Sequence, residues 1–394
     1  NIRGNVKTRD KVIRREIRLD EGDVYNNKLV ERSKERIYNL RYFDTVNIKP
    51  IVREKERLVD LDVEVKERLT GMLSLGGGYS SRDKLIGMAQ ITETNLFGRG
   101  LYFKLRGELS SKTTNYSISI QDPWLFDRPI SGSFSIFNEE FEFPAYKRKT
   151  RGFSLGLGKE FTEFTRASIT YRFERERIKD VDPGASIFIR EQEGKRTTSS
   201  LGTSLVRDSR NNVLDPTRGS KNALYTTVAG IGGNNKFYKF LIDSGWYFPY
   251  RWDTAFHLRG RFGYADGYSN KKLPLDERFY VGGINTVRGI NFGEAGPRDE
   301  NGEKIGGDME IIFNAEYIFP LVKSLRLKGV VFFDAGAAYD RDNLDIIEQM
   351  TRTAGAGVRW ISPFGLVRLE WGHNLSKRKD QETNRFEFAF GSSF

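Results

Sequence analysis

The chain has 394 residues, of which 38% are apolar and 30% charged, and a formal net charge of +11 at pH 7. No apolar run approaches the ~20 residues of a membrane-spanning helix. The absence of cysteine excludes disulfides and thiolate metal sites, and Lys and Arg are interleaved with acids rather than gathered in a tract, which argues against a nucleic-acid partner.

Residues 1–69 read as a small α/β module. Asn1 to Val6 is a short strand candidate. Thr8 is placed to cap a helix running to about Ile17, with Val12, Ile13 and Ile17 on one face. Glu21-Gly22-Asp23 marks a turn. A second helix starts near Asn26 and carries Leu29, Ser33, Ile37 and Leu40 on one stripe. Strands Thr45 to Val52 and Val59 to Val65 close the module, giving the order β-α-α-β-β. The chain opens on Asn1 without a Met or a leader, so it is expected to be a trimmed piece of a longer protein.

From residue 70 to 394 the helical period gives way to period 2. Phe256, Leu258, Gly260, Phe262 and Tyr264 alternate with His257, Arg259 and Arg261, and Phe313, Ala315 and Tyr317 alternate with Asn314 and Glu316. Such strands average out in hydropathy, so a membrane barrel is compatible with the composition. Their length, ten residues or more, is near the ~9–11 needed to cross a bilayer. Trp246-Tyr247-Phe248 and Trp360 lie near strand ends, where interfacial girdles sit.

Sixteen strands are expected. They start near Gly71, Leu85, Leu101, Asn115, Gly132, Arg151, Phe164 and Thr197, then near Lys221, Lys236, Thr254, Asp308, Leu325, Arg352, Leu366 and Arg385. Even parity suits a closed antiparallel barrel with both ends on one side. Loop lengths test this. The long connectors, near Asn138–Lys149, Ile178–Arg196, Asp266–Gly307 and Tyr339–Thr351, all follow odd strands, whereas Phe248-Pro249-Tyr250-Arg251 and Ser362-Pro363-Phe364-Gly365 follow even ones. The expected fold is a mostly β, 16-stranded antiparallel transmembrane β-barrel behind one small α/β domain.

The sixth external loop, about 266–307, carries Val287-Arg288-Gly289-Ile290. Connectors this long tend to be functional. Parity points Glu316 and Asp334, on the next two strands, into the lumen. Arg288 can meet them only if the loop folds back inside, where a guanidinium fork would bind wall carboxylates. A solvated loop arginine above a wet, acid-lined lumen fits the spacing as well.

These motifs carry a resemblance. Val287-Arg288-Gly289-Ile290 resembles the Val-Arg-Gly-aromatic motif of the BamA-type outer-membrane assembly-factor superfamily, and Phe332-Phe333-Asp334-Ala335-Gly336 its Phe-x-Asp-x-Gly strand motif. Glu316 sits where the family has its second acid. Asp208-Ser209-Arg210-Asn211-Asn212 with Asp215-Pro216-Thr217-Arg218-Gly219 is similar to the family's strand-turn-strand signature, and Asp122-Pro123-Trp124-Leu125-Phe126 to another of its turns. Residues 1–69 resemble a POTRA domain. The motifs follow the family's order over essentially the whole chain. Ile290 departs from the usual aromatic at the expected loop tip, and only one POTRA-like module is present.

The resemblance implies an outer-membrane location with the POTRA-like domain in the periplasm. It also implies ATP-independent folding and insertion of barrel proteins, with unfolded outer-membrane proteins, the lipid bilayer and accessory lipoproteins as partners. Siblings that it leaves open are two-partner secretion and TamA-like transporters. A passive diffusion channel is the alternative outside that function. Phe386, Phe388, Phe390 and the terminal Phe394 share one greasy face, a pattern similar to the family's C-terminal assembly signal. Gly76, Gly77 and Gly78 weaken the first strand through lost packing and greater backbone entropy, so a lateral seam is expected between 71–80 and Phe386–Gly391. An ordinary last strand, and glycines that merely relieve crowding, are the plain alternatives. No enzyme site, metal or cofactor is expected: His257 and His373 lie in no nucleophile motif or metal-ligand spacing, and His257 is expected on the lumenal wall.

Overall fold

The computed structural model describes residues 1–80, 84–143, 145–185, 187–341, 345–362, 365–376 and 382–390. Its first part comprises β1 (Ile2–Arg3), α1 (Asp10–Arg14), α2 (Asn27–Asn39), β2 (Phe43–Arg53) and β3 (Leu58–Glu67). The sheet order is β1-β3-β2, with β1 parallel and β2 antiparallel to β3. The helices pack on one face of it, burying Val12, Ile13 and Ile37 against Phe43, Val46, Val63 and Val65.

Two local expectations change. Asn26 caps α2 by accepting from the Lys28 N–H, but the stripe that buries is Val30, Ser33 and Ile37, leaving Leu29 exposed. Thr8 does not cap α1, whose N-cap is Arg9 without a side-chain bond. Thr8 is buried instead, its hydroxyl accepting from Asn95 Nδ2 at 2.9 Å. A cap is a local solution, and a partner 87 residues away overrode it.

That partner lies on the barrel. Strands β4 (Gly71–Ser80), β5 (Lys84–Leu96), β6 (Leu101–Ser110), β7 (Thr113–Asp122), β8 (Ser131–Glu142), β9 (Lys147–Thr162), β10 (Thr165–Lys179) and β11 (Gly194–Asp208) form its first half. The second half is β12 (Gly219–Gly233), β13 (Phe237–Tyr250), β14 (Thr254–Gly267), β15 (Met309–Val322), β16 (Leu327–Tyr339), β17 (Thr351–Ser362), β18 (Gly365–Asn374) and β19 (Asn384–Phe390). All sixteen are antiparallel neighbours in chain order, and β19 returns to β4 to close the barrel. Closure removes the free sheet edges that an open sheet of this size would leave.

Alternation divides the wall as expected. Phe256, Leu258 and Phe313 are exposed on the outer face, while Glu316 and Asp334 are buried inside. Tyr247 is an exception within the aromatic cluster: Trp246 and Phe248 face outward, but Tyr247 turns inward and stacks on His257 at 4.1 Å. Strand ends run further than the alternation indicates. β8 and β9 extend to Glu142 and from Lys147, so the connector expected over Asn138–Lys149 is largely paired strand. There, charged residues alternate where apolar ones do below, and the ladder continues beyond the greasy band.

The small domain sits at the short-turn end of the barrel. The Arg9 N–H donates to Gly98 O at 2.9 Å, and Lys11 pairs with Asp127 at 3.0 Å. The Arg15 guanidinium lies 5.5 Å over the Trp124 ring. Glu67 accepts from the N–H groups of Lys7 (2.9 Å) and Thr8 (2.6 Å), tying the linker after β1 to the end of β3.

Candidate functional site

The sixth loop, between β14 and β15, is pinched at its base by paired backbone bonds between Phe279 and Gly307, at 2.7 and 2.8 Å. Beyond the pinch the chain descends inside the barrel and turns tightly. The Gly283 N–H donates to Val287 O at 3.0 Å, and the Gly282 N–H to Thr286 Oγ1 at 2.8 Å. The innermost turn is therefore Ile284-Asn285-Thr286, not Ile290. Ile290 is fully buried with Val281, Val287 and Ala295 against Ile312, Ala337 and Ala338 of the wall. An aliphatic side chain fills that apolar layer where the resemblance calls for a ring.

Arg288 leaves this layer for an ionic one. Its Nε and Nη2 clamp Asp334 at 2.7 and 2.6 Å, and its backbone N–H adds a third bond to the same carboxylate at 3.1 Å. Nη1 donates to Glu316 at 2.6 Å and to Glu370 at 2.9 Å. The guanidinium lies 3.6 Å above the Phe332 ring, a cation–π contact that occupies its remaining face. Arg288 is 3% exposed and Asp334 fully buried.

The acids have further partners. Glu316 accepts from Arg359 at 2.7 and 3.0 Å and faces His257 Nδ1 at 3.0 Å. Glu370 accepts from Arg359 at 2.7 Å and from Arg368 at 3.0 Å. Three guanidinium groups thus meet three carboxylates. Burial of each charge is offset by bidentate, hydrogen-bonded partners, the condition under which a buried ionic cluster is tolerated. Arg368 and Arg259 also donate to the carbonyls of Ile284 and Asn285, each at 3.0 Å, so the wall grips the turn itself.

Glu370, Arg359 and Arg368 were not singled out from the sequence. The signal was present: Leu369 and Trp371 alternate with Arg368 and Glu370, and Arg359 lies between Val358 and Trp360. Strand parity gives the direction of these side chains, but not which lumenal charges reach the loop.

Gly289 completes the site. Its φ is +86°, and its backbone lies on that of Gly372 in β18, where a Cβ on Gly372 would stand 2.6 Å from the Gly289 Cα. Arg288 and Gly289 together therefore contact β15, β16 and β18.

The expected seam residues lie where β19 meets β4. Gly76, Gly77 and Gly78 are fully laddered to Met88, Gly87 and Ile86 of β5, so the glycine run does not loosen that side. On its other side β4 meets β19 at one register position among the described residues, Ala389 opposite Ser80. β19 is laddered to β18 from Val367–Phe390 to His373–Asn384. The Tyr79 and Phe388 rings lie 6.0 Å apart across the seam, and Phe386 is 70% exposed beside it. Gly391 and Phe394 lie outside the described residues. Among the described residues no group of His, Asp or Glu is placed to hold a metal ion.

Comparison with known proteins places the architecture. Residues 95–394 match the family model described as the Omp85 superfamily domain, and residues 1–68 match the POTRA model, described as a surface antigen variable number repeat. The chain is 34% identical over 402 residues to outer membrane protein assembly factor BamA of Nitratidesulfovibrio vulgaris, covering 100% of this chain and 50% of that protein. It is 30% identical over 449 residues to the BamA of Neisseria meningitidis serogroup B, covering 100% and 56%. It thus spans about half the length of these relatives. The crystal structure of BamA from Haemophilus ducreyi lacking POTRA domains 1–3 superposes with a TM-score of 0.88 at 24% identity. That likeness covers 99% of this chain and 83% of the other and speaks to the fold.

Proposed function

The chain belongs to the Omp85 superfamily, and from that premise we propose that it serves as an outer-membrane β-barrel assembly factor. In this reading it folds and inserts other barrels through the β4–β19 seam without ATP. The observation that carries the reading is the contrast, among the described residues, between the two edges of β19: a continuous ladder to β18 on one side, and the single register pair Ala389–Ser80 to β4 on the other. A strand edge that parts from its neighbour is a template for an incoming strand. Each new strand gains backbone hydrogen bonds as it leaves water, so pairing itself supplies the driving force.

The braced loop gives that edge a fixed backing. Gly289 and Arg288 hold β18, to which β19 is laddered, from within the lumen, so the seam opens against a braced strand pair rather than by collapse of the wall. The POTRA-like domain offers β2, an edge strand of its sheet, for β-augmentation by unfolded substrates or accessory lipoproteins in the periplasm. No covalent chemistry is assigned: His257 serves as a stacked, hydrogen-bonded wall residue.

The test is kinetic. The full-length protein, reconstituted in liposomes, should accelerate the folding of a urea-denatured outer-membrane barrel over protein-free liposomes. No acceleration, with steady large conductance in planar bilayers, would assign a passive channel. Translocation of one dedicated substrate without acceleration of unrelated barrels would assign a two-partner secretion transporter.

A further inference from the structure

A second charged feature lies outside the barrel, at the end opposite the POTRA-like domain. Along the outer face of β10, Ile169, Tyr171 and Phe173 are followed by Arg175, Arg177 and Lys179. On β9, reading in the same spatial direction, Leu155 and Phe153 give way to Arg151, Lys149 and Lys147. The inward residues between them on β10, Glu174, Glu176 and Ile178, are buried, whereas Arg151, Arg175 and Arg177 are exposed.

The register sets like charges directly opposite one another. Arg151 faces Arg175, Lys149 faces Arg177, and Lys147 faces Lys179. Lys195 of β11 then faces Arg177 from the other side. Like charges in cross-strand positions are destabilising unless an anion lies between them. Carboxylates relieve only one flank. Glu140 of β8 pairs with Lys149 at 3.1 Å and Lys179 at 3.2 Å, and Lys147 is 3.5 Å from Glu142 and 3.8 Å from Asp180. Arg151 donates to Asn138 at 2.9 Å. Arg175, Arg177 and Lys195 have no hydrogen-bond or ion-pair partner among the described residues.

Immediately below this cationic row lies an aromatic one. Phe153 stacks on Phe173 at 5.6 Å and meets Tyr171 at 6.2 Å. Lower still, Leu155, Leu157, Ile169 and Leu205 are exposed to the lipid side. The wall is thus layered as an amphiphile is: aliphatic, aromatic, then cationic. Guanidinium groups bind phosphate oxygens bidentately, and basic clusters at a bilayer surface attract anionic headgroups.

We propose that Arg175, Arg177 and Lys195 form a binding site for the phosphorylated headgroup of a membrane lipid, whose acyl chains lie along the outer face of β9–β11. The proposal rests on the membrane orientation given above, which puts this rim at the outer leaflet. It does not depend on the assembly activity, because its readout is lipid retention.

The full-length protein is placed in phosphatidylcholine nanodiscs containing a minor fraction of lipid A, a bisphosphorylated diglucosamine lipid. It is then delipidated stepwise, and retained lipid is counted by native mass spectrometry. Wild type should hold lipid A. The variant Arg175→Glu/Arg177→Glu/Lys195→Glu should hold at least about tenfold less, and the milder triple Gln variant, which keeps the fold if the Glu variant does not, should also hold less. Arg207→Glu, an exposed cation at the other end of β11, should match wild type, as should wild type challenged with millimolar inorganic phosphate. Equal retention by wild type and the triple Gln variant overturns the proposal. So does equal loss in Arg207→Glu, or displacement by inorganic phosphate, which would mark a free-anion site. Lost retention in a variant that still accelerates barrel folding would separate this site from the assembly reading.

Discussion

Gly289 of the sixth loop lies backbone to backbone on Gly372 of β18, with no room between them for a side chain. The contact lets Arg288, one residue earlier, reach three carboxylates on three strands. Gly372→Val should therefore lift the loop from the wall. Limited proteolysis of loop residues in intact cells, or crosslinking between cysteines at Asn285 and Arg368, should report the displacement. An unchanged crosslink would show that the loop is held without this contact.

Arg288→Ala leaves Asp334, Glu316 and Glu370 without their shared counter-charge. Because the cluster is buried rather than washed by the lumen, the loss should be in the range of about 3–5 kcal/mol, read as a lower urea midpoint for barrel unfolding. Arg288→Lys keeps the charge but not the fork that grips Asp334, and it should recover only part of the stability. Wild-type stability in Arg288→Ala would refute the brace.

Ser80 and Ala389 are backbone register partners across the seam, and cysteines replacing both can be tested as a lock. Oxidised, they should abolish acceleration of barrel folding in liposomes, and reduction should restore it. Full activity in the locked state would remove the seam from the mechanism.

The junction with the POTRA-like domain should weaken in acid. Burial pushes Glu67 up, but hydrogen bonds from the Thr8 side chain and from the Thr8 and Lys7 N–H groups hold it below its ordinary value of 4.5. A group whose folded pKa is depressed stabilises the fold above its unfolded value, and that contribution is lost as pH falls through the folded one. Lys7 and Thr8 amide exchange should accelerate, after correction for intrinsic rates, below about pH 4. Glu67→Gln should show the faster exchange at neutral pH and little further change on acidification.

Much of this was legible in the chain. The sixteen strands, their parity and the long sixth loop follow from alternation and turn residues, because a half-buried strand must sort its side chains every second position. Parity also sent Glu316 and Asp334 inward, and that narrowed the ways Arg288 could meet them. The strand ends near Lys147 and Gly194 were less legible, because above the greasy band the alternation passes from apolar to charged while the backbone ladder continues.

Tertiary structure decided the rest. Glu370 joined the brace, and Arg359 and Arg368 balanced it, through closure of a wall that brings β15, β16 and β18 around one loop residue. The glycines of β4 pair fully with β5, and among the described residues the first and last strands share one register position. Thr8 left its helix for Asn95 once the barrel turn was beside it. Periodicity records which face of a strand a residue takes, because that is set by its nearest neighbours along the chain. Which charges share a site, and which strand meets which, is set by contacts between residues far apart in sequence, and only the folded chain contains them.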